Sequence, residues 1–223
     1  MKLPVAFFAF TLLWVVILKW VPVYFTPLMA IRAVEHRNDS NFHTYKTWQP
    51  LSRISSHMVM AVMAGEDNRF MEHHGIDWIE LKKAVKDKKR GKRQRGASTI
   101  SQQTAKNVFL WPGKSMARKL LEAYFTGLIE IVWGKERIME VYLNVAEMGY
   151  GIYGAEAAAG RLFQTRASKL SSRQASLIAA CLPNPISRKA DKPSAYINKR
   201  AGDIRVIMRS LPEPEWLDGR KRD

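Results

Sequence analysis

Three short runs of this sequence combine side chains that can move protons or hold anions. The first is Glu66-Asp67-Asn68-Arg69-Phe70-Met71-Glu72-His73-His74-Gly75, where an acidic pair follows an apolar stretch and lands beside an aromatic ring and two imidazoles. A carboxylate drawn partly out of water has its pKa raised toward the working range of a general base, while nearby cations pull it back. Solvated acids at a helix end would give the same pattern. His73 and His74 are adjacent and lack both HExxH spacing and a cysteine partner, so they read as capping or packing residues rather than metal ligands. The second run, Gly96 to Asn107, is led by glycine and rich in hydroxyls and amides: Ser98, Thr99, Ser101, Gln102, Gln103 and Thr104 precede Lys106. The backbone N–H groups at such a helix start favour anions, and Lys106 adds a point charge. The GxxxxGK[ST] phosphate-loop spacing is absent, and Ser98 has no base in a hydrolase arrangement, which leaves it a donor or a cap. In the third run, Arg118-Lys119-Leu120-Leu121-Glu122, the helical period puts Arg118 and Glu122 on one face. An intrahelical ion pair explains that spacing, but Lys106, Lys114, Arg118 and Lys119 also accumulate within fourteen residues, a density that could bind a diphosphate.

The elements that must position these groups read as helices. Ser55 and Ser56 can cap a helix through Met58, Val59, Val62 and Met63 that ends near Gly65 and delivers Glu66 and Asp67 into a loop. Asp77 and Glu80 form a capping-box-like start for a helix with an apolar face of Trp78, Leu81 and Val85. It runs into the charged stretch 86–96, expected to be a solvated loop. Thr99–Phe109 reads as a short helix stopped by Trp111-Pro112-Gly113. Met116–Trp133 carries Leu120, Leu121, Tyr124, Phe125, Leu128, Ile131 and Val132 at helical steps, and Lys135–Met148 repeats the pattern with Gly149 as its C-cap. Ile152–Phe163 is alanine-rich, Ser172–Leu182 ends at Pro183, and Ser194–Leu211 ends before Pro212. No strand alternation and no repeat is visible, so the fold class expected is mainly α.

Of 223 residues, 47% are hydrophobic and 25% charged, enough apolar surface for one folded domain once the N-terminus is set aside. Cys181 is alone, which excludes an intrachain disulfide and thiolate metal clusters. A formal charge of +16 requires an anionic partner: nucleic acid, an acidic membrane or a phosphorylated substrate. Leu3–Leu18 carries no charge, and Lys19 is followed by a second uncharged run to Ile31, so a single transmembrane helix extending past Lys19 is expected, with a cleaved signal peptide as the rival. Residues 1–31 are assigned to this anchor, 32–54 to a polar, irregular connector, 55–211 to the folded domain and 212–223 to a polar tail. Lysines and arginines on both sides of the apolar run leave its orientation open.

Taken together, the segments resemble the bacterial peptidoglycan glycosyltransferases, the family that also supplies the glycosyltransferase module of bifunctional penicillin-binding proteins. EDxxFxxHxG is met by 66–75, GxSTIxQQxxKN by 96–107, RKxxE by 118–122, KxxIxxxYLN by 135–144 with Gly149 and Gly154 downstream, and RQASLIAACLPNP by 173–185. No serine has a lysine three positions on, so the transpeptidase SxxK signature is missing and the resemblance is to the monofunctional biosynthetic form.

The resemblance implies a lysozyme-like, two-lobed helical fold whose cleft holds two lipid-linked sugars. It implies Glu66 as the base that deprotonates the 4-hydroxyl of the acceptor N-acetylglucosamine, with inversion at the donor sugar. Undecaprenyl diphosphate leaves, stabilised by Lys106, Lys114, Arg118 and Lys119. Glu122 joins Glu66 as a catalytic carboxylate that orients those groups or holds a divalent cation, Mg or Mn, on the diphosphate; no organic cofactor is implied. Asp67, Ser98, Thr99, Gln102, Gln103 and Asn144 become substrate contacts or their supports. The partners implied are lipid II, the growing glycan, membrane lipids and other cell-wall synthesis and division proteins, with no nucleic acid. The location implied is the bacterial inner membrane, with the catalytic domain outside. Two rivals remain: a lysozyme-like glycan-cleaving enzyme, which needs no cationic diphosphate cluster, and a membrane-tethered nucleic-acid-binding protein, suggested by the charge.

Overall fold

The computed structural model describes residues 2–91, 96, 98–113 and 115–218, and the chain is mainly α-helical. In chain order the helices are α1 (Lys2–Leu18), α2 (Pro27–Glu35), α3 (Ser56–Glu66), α4 (Trp78–Lys89), α5 (Ile100–Phe109), α6 (Met116–Val132) and α7 (Gly134–Val145). These are followed by α8 (Ala155–Phe163), α9 (Ser172–Cys181), α10 (Ala195–Ser210) and α11 (Glu215–Asp218). Three strands, β1 (Tyr45–Lys46), β2 (Glu147–Gly149) and β3 (Ile152–Tyr153), form a small sheet in the order β1-β3-β2, with β1 parallel and β2 antiparallel to β3. Strands of two and three residues are too short to show alternation in a sequence, which is why none was expected.

α3 explains the architecture. Met58 through Ala64 are all buried, so this helix is apolar on every side and must be enclosed. α9 and α10 pack against it from one side, while α5, α6 and α7 pack on one another. Gly65 sits where a Cβ would meet Ile204 Cδ1 of α10 at 3.3 Å, so it serves close packing of α3 on α10 and does not end the helix. The helix therefore includes Glu66, which had been expected in a loop, and Asp67 is the residue that leaves it.

The N-terminus departs from expectation. α1 stops at Leu18 instead of passing Lys19, and an extended stretch leads to Thr26, whose side chain caps α2 with Pro27 in its first turn. Among the described residues, no helix is long and apolar enough to cross a membrane; at 17 residues α1 spans about 25 Å. α1 lies against α6, with Thr11 Oγ1 and Tyr124 sharing a hydrogen bond of 2.7 Å. Trp133 Nε1 donates to Val15 O at 2.7 Å, and the Arg137 guanidinium donates to Leu18 O at 2.8 Å and Val21 O at 2.6 Å, satisfying carbonyls that the helix end leaves open.

Further corrections follow from which faces find partners. The expected apolar face of α4 stays in solvent, with Trp78 61% exposed, and no α4 residue is buried. Asp77 caps that helix alone, because Glu80 pairs with Lys83, and the helix continues through Lys86–Lys89 of the supposed loop; residues 92–95 of that run lie outside the described residues. On α6, Ile131 is 85% exposed and Leu120 is exposed too, whereas Arg118 and Glu122 are buried. α7 ends at Ala146, and Gly149 belongs to β2 rather than capping a helix. The supposed polar connector contains the end of α2 and the strand β1, and the supposed tail contains α11, whose Leu217 is buried.

Candidate active site

Asp67 holds the site together. Its Oδ2 accepts from the Ile100 N–H at 3.0 Å, and its carboxylate shares a hydrogen bond with His73 Nε2 at 3.0 Å. The end of α3 is thereby tied to the first residue of α5. Thr99 caps α5, with its side chain accepting from Gln102 N and Gln102 Oε1 accepting from Thr99 N, and Thr99 Oγ1 donates to Gly75 O. Gly75 must be glycine, since its φ is +90° and a Cβ would stand 2.7 Å from Thr126 Cγ2. The first two sequence runs thus form one corner of the molecule.

Within that corner, Gln103 Nε2 donates to Glu66 Oε2 at 2.9 Å, and Gln103 Oε1 accepts from Tyr142 Oη at 3.3 Å. Burial holds the Glu66 carboxyl above the ordinary glutamate range; the Gln103 hydrogen bond and the charges of Arg200 and Lys106 draw it back, and Asp67 adds to the rise. The same loss of water pushes the buried Tyr142 hydroxyl well above its ordinary value, so it remains a neutral donor.

Lys106 stands three residues beyond Gln103 on the same face of α5, and α5 packs on α6. There Glu122, its side chain 4% exposed, binds Arg118 Nη1 at 2.7 Å through Oε2 and the Lys119 ammonium through Oε1. Arg118 Nε is buried with no hydrogen-bond partner. Burial lowers the Lys106 pKa most, Glu122 and Glu66 raise it, and Arg118 and Lys119 lower it further. Three cations thus surround one carboxylate, and one of them keeps an unused donor.

Ser98, Gln103, Lys106, Arg118, Lys119 and Glu122 line a single groove of about 400 Å³. Glu66 lies one hydrogen bond behind its Gln103 wall and interacts electrostatically with Lys106, so acid and cations occupy neighbouring positions of one site. The other expected residues are elsewhere. Asp67, Thr99 and Gln102 are buried in the ties described above and do not line the groove. Asn144 is also absent from the groove wall: its Nδ2 donates to Gln49 O and Glu140 O, and its Oδ1 accepts from Gln49 N, each at 2.8 Å. Lys114 lies outside the described residues.

The family model described as Transglycosylase matches residues 33–209. A biosynthetic peptidoglycan transglycosylase of Bacteroides thetaiotaomicron is 57% identical over 213 residues, 95% of this chain and 86% of that protein. Proteins of the same name from Pseudomonas syringae pv. syringae and Bdellovibrio bacteriovorus are each 50% identical, covering 96% and 95% of this chain and 91% and 84% of their own lengths. The chain belongs to the transglycosylase family.

A divalent cation held by Glu122 would have to share a carboxylate whose two oxygens already pair with Arg118 and Lys119, so two fixed cations would oppose it. Asp67, His73 and Asp77 also bring ligand atoms together, but Asp67 is committed to His73 and Ile100, and Arg69 Nε lies 3.4 Å from Asp77 Oδ2. A second cation there would meet the guanidinium. Sequence reasoning missed four residues that line the groove or act on Glu66. Tyr142 lies within the KxxIxxxYLN block and was given no role of its own. Arg200, whose Nη2 donates to Gly65 O at 3.1 Å, comes from α10, far away in the chain. Arg32 and Glu147 line the groove from the connector and from β2.

Proposed function

We propose that the groove performs peptidoglycan glycosyl transfer as an inverting displacement, with Glu66 as the base and Lys106, Arg118 and Lys119 as the cations that receive the leaving diphosphate. The activity, polymerisation of glycan strands, follows from family membership and from relatives matching nearly the whole chain. The observation that carries the mechanism is the adjacency of a desolvated carboxyl and an excess of cations, joined through Gln103 and Lys106 on one face of α5. Inversion needs the base on the side of the sugar opposite the leaving group; cations that line the groove and a carboxyl one hydrogen bond behind its Gln103 wall are separate positions that support such a layout. Glu66, with its basicity raised by burial, removes the proton of the acceptor 4-hydroxyl. Lys106 and Arg118 meet the charge that develops on the departing diphosphate, where fixed donors stabilise it more than water does. Lipid II and the growing lipid-linked strand are the substrates. A divalent cation, if one takes part, rides on the diphosphate, since Glu122 is taken by Arg118 and Lys119.

The lysozyme-like, two-lobed reading is supported by two helical groups, α3/α9/α10 and α5/α6/α7, with the groove lined from both α5/α6 and the end of α9. Membrane attachment through the N-terminus is supported by exposed Phe8, Phe10, Leu13, Trp20, Tyr24 and Phe25, a patch that water does not favour. The functional reading, not the charge pattern, puts the N-terminus in the cytoplasm and the groove outside; a compartment-sensitive reporter fused to either end tests this. The decisive assay incubates the protein separately with lipid II and with finished glycan. Polymer from lipid II is the expected result, and shortening of finished glycan without polymer overturns the reading.

A further inference from the structure

One influence on the base comes from a helix outside the groove. Among the described residues that line the groove, none belongs to α10. α3 ends at Glu66, and the carbonyls of its last turn have no partner within the helix. Met63 O is taken by the N–H of Asp67, whereas Gly65 O accepts from Arg200 Nη2 of α10 at 3.1 Å. The sequence provides for this approach. Gly65 has no side chain, and a Cβ there would stand 3.3 Å from Ile204 Cδ1, so α10 can lie close against the end of α3. Arg200 and Ile204 are four residues apart on one face of α10, which brings the guanidinium and the packing contact together beside Glu66. A cation at the C-terminal end of a helix is also favoured by the helix dipole.

The charged and titratable groups that act on Glu66 come from four helices or their ends: Asp67 just past α3, Lys106 on α5, Tyr142 on α7 and Arg200 on α10. Lys106 also meets the departing diphosphate in the reading above, so the substrate answers part of its charge. Arg200 is off the groove wall, and its charge stays with Glu66. Resting on that glycosyl-transfer reading, we propose that Arg200 is a positioning residue for the reaction: it fixes the end of α3 through Gly65 O and supplies a standing positive charge beside Glu66, without touching the substrate. The charge favours the ionised carboxyl that must accept the proton, against the burial that disfavours it. Arginine suits the role because it stays charged throughout the working pH range.

The test compares Arg200→Met and Arg200→Lys in the full chain. For Arg200→Met, turnover at pH 7 should fall about tenfold, the scale of a hydrogen bond from a charged group, with KM near the wild-type value. The acid limb of the rate profile should move to higher pH, because an influence that lowers Glu66 is gone. Arg200→Lys keeps the charge, so it should leave that limb in place and lose less turnover. Affinity for lipid II, read in the Glu66→Gln background without turnover, should change in neither variant. Melting temperature against pH gives a readout independent of activity. Glu66 has a folded pKa above its unfolded value, so the fold loses stability as pH rises through the folded pKa, and Arg200 limits that loss. Arg200→Met should therefore destabilise more at neutral pH than in acid, and the difference should vanish in the Glu66→Gln background. An acid limb that Arg200→Met leaves unmoved overturns the proposal, and so does a loss of lipid II affinity, which would make Arg200 a substrate contact. Should Arg200→Met not fold, Arg200→Lys carries the test, a shifted limb or lost affinity overturning the proposal; if neither folds, Arg200 is a structural tie and the proposal falls. The polymerase reading fails separately: a wild type that makes no polymer from lipid II sinks it, while the pH dependence of melting still reports on Arg200 and Glu66.

Discussion

The two clusters of the site, Glu66 behind the Gln103 wall and the cations that line the groove, face a similar problem, charge held away from water, and solve it in opposite ways. At the α3 end the direct partner of the Glu66 carboxyl is neutral, the Gln103 amide backed by Tyr142, and the charges of Arg200, Lys106 and Asp67 act on it without a hydrogen bond. At the α6 end, Arg118 and Lys119 crowd onto Glu122, with Lys106 beside them, and charge itself provides the compensation. A base must give and take a proton near neutral pH, so desolvation without a full counter-charge suits it. A diphosphate site must stay positive, so an excess of cations held by one buried carboxylate suits that. Lys106 belongs to both ends, since it lowers Glu66 and is itself steadied by Glu122.

The largest effect expected is at Glu66. Glu66→Gln removes the base while keeping the Gln103 contact, and polymerisation should fall about 10²–10⁴-fold, the usual worth of a positioned acid or base. The same change should raise the melting temperature at pH 7. Glu66 has a folded pKa above its unfolded value, so the stability it supports is fully present below the unfolded value and is lost as pH rises through the folded one. Wild type and variant should therefore converge in acid. A variant with near-normal turnover would remove Glu66 from the role of base and dissolve the contrast between the ends.

Next comes Lys106. Lys106→Met should lower turnover about 10²–10³-fold, as removal of a preorganised donor does elsewhere. A subtler variant sharpens the point. The wild-type rate should rise with pH as Glu66 ionises and fall at alkaline pH as Lys106, its pKa lowered by burial, loses its proton. Lys106→Arg should keep the acid limb near its wild-type position and move the alkaline limb upward, because arginine stays charged. An unmoved alkaline limb would assign that limb to another group.

How much of this was legible in the sequence depends on what each signal measured. Glu66, Lys106 and Arg118 stood out because unlike residue types in fixed spacing are rare; Lys106 and Arg118 line the groove, and Glu66 is bonded to its Gln103 wall. Thr99 and Gln102 could not be told from sugar contacts, because a capping box and a sugar-binding site use the same hydroxyls and amides. The helical period of α6 was read correctly, and Leu121, Tyr124, Phe125, Leu128 and Val132 pack on the core, but apolar Leu120 and Ile131 face outward while the ion pair of Arg118 and Glu122 faces in. Periodicity finds the apolar face without showing which charged residues are enclosed beside it. Arg32 and Glu147 carried no signal, since they meet only when α2 packs on α5 and β2 turns back beside them.

A smaller effect tests how Glu66 is tuned. Gln103→Leu deletes the hydrogen bond that lowers the Glu66 pKa, so the acid limb of the rate profile should move to higher pH, with turnover at pH 7 reduced about tenfold. Lys106→Met should move that limb in the same direction, because it too removes an influence that lowers Glu66. If only one of the two variants shifts the limb, the two clusters are not coupled through α5.

The smallest effect on chemistry is expected at Asn144, which the sequence placed among the substrate contacts and the structure places between α7 and the backbone of Gln49. Gly154, at φ +83°, passes so close that a Cβ there would stand 2.8 Å from Asn144 O, and Lys46 Nζ donates to the same oxygen at 2.9 Å, so this segment is fixed from several sides. Asn144→Leu leaves the Gln49 N–H and C=O without their partners, and burial of unsatisfied groups destabilises by about 1–3 kcal/mol each. The variant should therefore unfold at lower denaturant, while the protein that remains folded binds lipid II with wild-type affinity. A loss of affinity at unchanged stability would return Asn144 to the substrate and extend the groove toward β1.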